Sequence, residues 1–148
     1  MISTNPGEPV RPLNKVASGG ELSRIMLAIK SILASEDEID TLIFDEIDSG
    51  ISGKTATMVA EKMANISRHH QVICISHLSQ IAAMADNHYL IEKKLENNST
   101  ITNIKKLSGD ESIEELVRIN GDGTVSEAAI SHAKEMKEMA ERTKSYLI

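Results

Sequence analysis

The chain has 148 residues, 41% hydrophobic and 26% charged, with a formal net charge of −6. That length supports one domain with a sizeable core, and the acidic balance argues against a broad nucleic-acid footprint. Phe44, Tyr89 and Tyr146 are its only aromatic residues, so the core is expected to be aliphatic and base stacking on aromatic platforms is a poor candidate function.

Met1 to Asn14 carries all three prolines and reads as loop or extended chain. Ile2-Ser3-Thr4-Asn5 reads as the tail of a strand, the expectation for a piece of a longer protein. Ser18 to Ser35 is predicted to be a helix. Ser18 and Glu21 fit the S-x-x-E capping box, and Leu22, Ile25, Met26, Ile29 and Leu33 recur at helical spacing. An acidic connection, Asp37 to Asp40, leads into Thr41 to Phe44, the pattern of a buried parallel strand. After a turn-rich loop at Ser49 to Gly53, a helix is predicted from Lys54 to Arg68, with Val59, Met63 and Ile66 facing inward. Gln71 to Ile75 is a second buried strand, and Leu78 to Met84 begins another helix.

His88 to Glu92 and Thr100 to Lys106 read as strands joined through a turn at Asn97-Asn98, an antiparallel edge. Ser112 to Ile119 is a short helix stopped by Asn120-Gly121-Asp122-Gly123. A last helix runs from about Ser126 toward Tyr146, with Ala129, Ala133, Met136 and Ala140 as its buried stripe. The alternation predicts an α/β layer fold with parallel central strands, an antiparallel edge hairpin and flanking helices. Cys74 stands alone inside Val72 to Ile75, so no internal disulfide can form; it reads as a small buried hydrophobe and fits a reducing cytoplasm. No apolar run reaches the roughly 20 residues of a membrane helix, and no signal-peptide pattern is visible.

Three features carry chemistry. Asp45 and Glu46 follow an apolar strand, where one carboxylate can hold Mg²⁺ and its neighbour can orient and deprotonate a water, or both are solvated loop carboxylates. Gly19 and Gly20 allow close backbone approach to an anion at a helix start, and Ser18 adds a hydroxyl or simply caps the helix. His77 follows the second strand, where an imidazole can reach a ligand on the same sheet edge, or lie on the surface. His69, His70, His88 and His132 show no metal-ligand spacing and read as structural or solvent-facing. The basic clusters at Arg68, Lys93-Lys94 and Lys105-Lys106 read as solvated surface. Gly53-Lys54-Thr55 imitates the end of a phosphate loop, G-x-x-x-x-G-K-[ST]. The first glycine of that pattern would fall on Asp48, and Asp45 and Glu46 would face the phosphates, so the imitation is rejected.

Ala17-Ser18-Gly19-Gly20-Glu21-Leu22-Ser23-Arg24, Leu42-Ile43-Phe44-Asp45-Glu46, Asp48-Ser49-Gly50 and Ser76-His77 together resemble the second half of an ATP-binding cassette ATPase head, in the SMC-like branch. Ile2 to Pro9, Asp45 to Gly53 and Ser76 to Ala82 are more specifically similar to the RecN family of bacterial DNA repair proteins. The resemblance extends over nearly the whole chain. It implies a partial P-loop NTPase fold, with 1–17 a loop and strand remnant, 18–36 the signature helix, 41–92 the Walker B, D-loop and switch region, and 93–148 an edge strand and C-terminal helices.

By the same resemblance, Ser18, Gly19, Gly20 and Glu21 form the signature that meets ATP held by a second head. Asp45 is the Walker B carboxylate near Mg²⁺, Glu46 the catalytic base, Asp48 a D-loop residue and His77 the switch histidine sensing the γ-phosphate. Ser79 stands where a proline commonly follows the His-Leu pair. The family's Walker A loop and Q-loop glutamine lie upstream, beyond coiled-coil arms, so the chain by itself is expected to bind ATP poorly. The implied partners are a second head in an ATP-dependent homodimer, the N-terminal half carrying Walker A, and DNA reached through the full-length protein; the implied location is the bacterial cytoplasm, at the nucleoid. Two alternatives stay open: the head of another SMC protein or of a transporter, whose signature usually ends in glutamine rather than Glu21, and a non-catalytic interaction module.

Overall fold

A computed structural model describes residues 3, 7, 9–13, 17–33, 38–96, 99–121 and 125–147. The expected strand tail at Ile2 to Asn5 lies largely outside these residues, and the Asn97-Asn98 turn wholly so. In chain order the elements are α1 (Gly19–Leu33), β1 (Thr41–Phe44), α2 (Gly53–Ile66), β2 (Gln71–Cys74), α3 (Ser79–Met84), β3 (Tyr89–Glu96), β4 (Ser99–Lys106), α4 (Gly109–Asn120) and α5 (Glu127–Tyr146). They fall into two compact units, Met1–Ser76 and His77–Ile148. The division lies inside the stretch 41–92 that the sequence reading treats as one region.

In the first unit β1 and β2 pair in parallel, from Thr41 opposite Gln71 to Phe44 opposite Cys74. The ladder continues at both ends, with the Gln71 N–H donating to Asp40 O at 2.7 Å and the Ile75 N–H to Phe44 O at 3.0 Å. Leu42 and Phe44 are buried while Ile43 is 68% exposed. Alternate residues of a strand point to opposite faces, so one face of this sheet is covered and the other is not. The expectation of fully buried strands is corrected accordingly: Ile73 and Ile75 are also exposed. On α2, Val59, Met63 and Ile66 are buried as expected, joined by Ala56, Ala60 and Ala64. The stripe on α1 behaves differently. Leu22, Met26, Ile29 and Leu33 are exposed, and its buried residues are Gly20 and Leu27. The spacing made the helix without deciding which side would be covered.

In the second unit β3 and β4 form an antiparallel hairpin, Tyr89 opposite Lys106 through Glu96 opposite Ser99. Among the described residues this hairpin is a two-stranded sheet of its own. Ala83, Leu116, Val117 and Ala133 make a buried cluster, with Ala129 and Met136 of the expected α5 stripe packed against it. Helix α4 starts three residues earlier than the spacing predicts. Ser108 accepts from the Glu111 N–H at 3.3 Å, and Glu111 accepts from the Ser108 N–H at 2.9 Å. That capping box is written in the sequence as Ser108-x-x-Glu111 and is the signal for the true start.

Two groups here make the stability of this unit acid-sensitive. The Lys105 ammonium, then the Ser108 groups, hold the Glu111 carboxyl down to about 2. Burial, with Lys137 nearby, pushes the His88 imidazole below its ordinary value, and its Nδ1 lies 2.9 Å from the Ser112 hydroxyl. Each group binds its proton more weakly folded than unfolded, so acid favours the unfolded chain. We expect the melting temperature to fall first as pH drops through the ordinary histidine range near 6.5, and again between 4.5 and about 2. Thermal scans from pH 8 to about pH 2 check this; His88→Gln should remove the upper step and Glu111→Gln should flatten the lower one.

Candidate functional site

Asp45 and Glu46 leave the carboxyl end of β1 and are both exposed. Asp45 Oδ1 accepts the Glu46 N–H at 2.9 Å. Glu46 sits at φ 55°, a left-handed conformation that a glutamate adopts only when its surroundings impose it. The chain then turns tightly: the Ser49 N–H donates to Glu46 O at 2.9 Å and the Ile51 N–H to Asp48 O at 3.3 Å. Ile47, wholly buried, anchors this turn. Asp48 is also buried, at 4% exposure, and accepts a 2.6 Å hydrogen bond from the Ser76 hydroxyl. Asp48 is thus tied to the end of the second strand, one residue before His77. Burial, followed by the charges of Asp48 and Asp45, pushes the nearby Cys74 thiol up to about 12, which leaves it unreactive at neutral pH.

The glycine turn closes onto the same loop. The predicted capping box is present: Glu21 accepts from the Ser18 N–H at 2.8 Å, and Ser18 Oγ accepts from the Glu21 N–H at 3.3 Å. That engagement holds the Glu21 carboxyl below the usual range, the Ser18 backbone bond contributing most. Gly20 is buried, and a Cβ placed there would lie 2.6 Å from Glu46 O and 2.9 Å from Ser49 Cβ. A Cβ on Gly19 would meet only the Glu46 carboxylate, at 2.6 Å from Oε2. So the two glycines differ. Gly20 allows backbone to touch backbone, whereas exposed Gly19 lies beside the carboxylate.

Further along α1, Ser23 Oγ donates to Asp45 O at 2.8 Å, and Arg24 Nη1 donates to Ile47 O at 3.0 Å and Ser49 O at 2.8 Å. Ser23, Arg24, Ser49 and Ser76 were not singled out for these contacts from sequence; Ser23 and Arg24 belong to the signature run and Ser49 to the D-loop run, but no spacing rule shows their bonds. The structure therefore gathers Gly19, Gly20, Asp45 and Glu46 at one place, with Asp48 anchoring the loop beneath. Ser18 is exposed at the start of α1, and His77, also exposed, opens the second unit. The imitation phosphate loop fails physically. A phosphate cradle needs free N–H groups, and those of Ser49 and Ile51 are spent within the turn.

Among the described residues no three His, Cys, Asp or Glu side chains converge as a metal cage. Mg²⁺ at a nucleotide is held by one or two carboxylates, with phosphate oxygens and water completing the shell. The exposed carboxylate of Asp45 suits that partial role.

Ser79, in the place where proline is common, is the first residue of α3 and is buried. Its hydroxyl bonds the Asn120 side-chain oxygen at the end of α4. Ser79→Ala removes that bond while Asn120, an exposed residue, can turn to water instead, and we expect a loss of about 0.5–1.5 kcal/mol in urea unfolding.

Over 145 residues the chain is 48% identical to the DNA repair protein RecN of Bacillus subtilis, a match covering 98% of the chain and 25% of that protein. The chain is a RecN-type segment. RecN of Treponema pallidum is 47% identical over 136 residues, covering 92% of the chain and 24% of that protein. RecN of Deinococcus radiodurans is 46% identical over 135 residues, covering 91% and 23%. The chain thus spans about a quarter of the length of the RecN proteins it matches. No protein-family model matches it. Among solved structures it resembles one from work on ATP-driven dimerization and DNA-stimulated activation of SMC ATPases, with a TM-score of 0.52 at 19% identity, covering 78% of this chain and 69% of that one. That likeness concerns the fold alone, an α/β architecture that the RecN-type segment shares with that structure. No helix among the described residues is long and apolar enough to cross a membrane.

Proposed function

We propose that this segment is the C-terminal half of a RecN-type ATPase head, which hydrolyses ATP at a head–head interface during recombinational repair of DNA double-strand breaks. The observation that carries this reading is the RecN match over 98% of the chain, joined to an exposed carboxylate pair at the end of a parallel strand. Asp45 would help to hold Mg²⁺ beside the phosphates of ATP, where the ion would supply neutralisation of charge on those phosphates. Glu46 accepts the proton of the attacking water. His77 meets the γ-phosphate. Ser18 and Gly19, exposed at the start of α1, contact ATP held by the partner head, with Gly20 and Glu21 shaping that turn. Asp48, fixed by Ser76, sets the path of the D-loop.

The same reading accounts for the uncovered apolar surfaces. Ile43, Ile73 and Ile75 on the open sheet face and the stripe on α1 suit packing against the N-terminal half of the head, which supplies the Walker A loop. The regions keep the bounds 1–17, 18–36, 41–92 and 93–148. The chain contains no complete phosphate loop of its own and acts in the bacterial cytoplasm as part of the longer, DNA-engaging protein. ATP hydrolysis by the RecN-type protein carrying this segment, with and without Glu46→Gln, tests the proposal; unchanged turnover in the variant sinks it and favours a non-catalytic interaction module.

A further inference from the structure

The bonds from α1 to the loop after β1 have a direction. All three bonds are donated from α1, once by Ser23 Oγ and twice by Arg24 Nη1, and their acceptors are the backbone carbonyls of Asp45, Ile47 and Ser49. These carbonyls bracket Glu46 and Asp48, and the carbonyl between the first two, that of Glu46, lies against Gly20. The bracketed residue is the one non-glycine residue in the left-handed region among those described. An isolated glutamate favours other conformations, so contacts outside the residue must hold it there.

We propose that Arg24 and Ser23 are positioning residues for Glu46. Their hydrogen bonds lock the 45–49 backbone so that the Glu46 carboxylate leaves the strand end at a fixed angle, beside Gly19. The glycine turn and the carboxylate then move as one piece, because a shift of the α1 start drags the carbonyls of 45, 47 and 49 with it. A ligand touching Ser18 or Gly19 is thereby coupled, within one chain, to the aim of Glu46.

This inference rests on the hydrolytic role proposed for Glu46, and the test separates the two. In the RecN-type protein carrying this segment, kcat and KM for ATP are measured for Arg24→Ala, Arg24→Lys, Ser23→Ala and Glu46→Gln, and for Arg24→Ala combined with Glu46→Gln. Arg24→Ala is expected to lower kcat at least about tenfold, up to the roughly hundredfold that a 1 Å misplacement can cost, with KM changed less than about threefold. Arg24→Lys, whose ammonium can donate to the same carbonyls, recovers most of the loss, and Ser23→Ala gives a smaller loss of the same kind. The double variant is no slower than Glu46→Gln alone, as groups acting through one another require. If Glu46→Gln abolishes turnover while Arg24→Ala and Ser23→Ala keep normal kcat, the positioning role is wrong and the hydrolytic reading stands. A purely structural Arg24 would lower kcat of the double variant further, by loss of folded protein, and that also overturns the proposal. If Glu46→Gln turns over normally, the hydrolytic reading fails and the inference falls with it.

Discussion

Glu46→Gln in the RecN-type protein that carries this segment is expected to reduce ATP turnover by about 10²–10⁴-fold, the contribution typical of a positioned general base. The substitution keeps the shape and hydrogen-bonding reach of the side chain and removes its capacity to take a proton. Binding should therefore survive, and ATP should accumulate in undissociated head dimers. Steady-state hydrolysis measures the first effect, and light scattering with and without ATP measures the second. The backbone at this residue is already set by its neighbours, with φ at 55° and bonds on either side. Glutamine carries no extra conformational cost there, so a loss of activity reads as chemistry and not as unfolding.

Gly20→Ala is expected to destabilise the chain by about 1–2 kcal/mol in urea unfolding. A Cβ at Gly20 would lie 2.6 Å from a backbone oxygen and 2.9 Å from Ser49 Cβ, so the 45–49 turn has to shift. Overpacking of this kind costs about 1–3 kcal/mol, offset by up to about 1 kcal/mol because alanine loses less backbone freedom in a helix than glycine. Gly19→Ala makes the opposite case. Its Cβ meets only the carboxylate tip of Glu46, a flexible group that can swing aside. Stability should hold or rise slightly, while hydrolysis in the longer protein falls because the carboxylate has been turned away. Equal destabilisation by both substitutions would mean that the two glycines share one packing role. The crossed outcome, stability lost at 20 and activity lost at 19, separates the structural half of the motif from the chemical half.

The contrast between the glycines shows what pattern reading reaches. Gly-Gly after a capping serine announced a helix start and a close approach. It could not say that the approach is to the chain's own Glu46 carbonyl, because the partner lies more than two dozen residues away in sequence. Asp48 is similar. Its place in a turn was legible, whereas its burial and its bond from Ser76 depend on the parallel pairing of β1 with β2. The Ser108-x-x-Glu111 box is a different kind of miss, a local signal present in the sequence and confirmed at 2.9 Å and 3.3 Å.

By itself the sequence determined the elements and their order, because helix and strand periodicities and capping residues act over a few neighbours. It also determined the carboxylate pair at a strand end and, through its long likeness, the RecN affiliation. Tertiary structure alone decided which faces are covered. The stripe on α1 and the row Ile43, Ile73 and Ile75 have the same apolar character as the covered face of α2, yet they remain open. Periodicity marks a face as apolar, but burial depends on what packs against it. In the same way, only folding brought Arg24 and Ser23 to the carbonyls around Glu46, since a hydrogen bond between distant residues is a property of the packed chain.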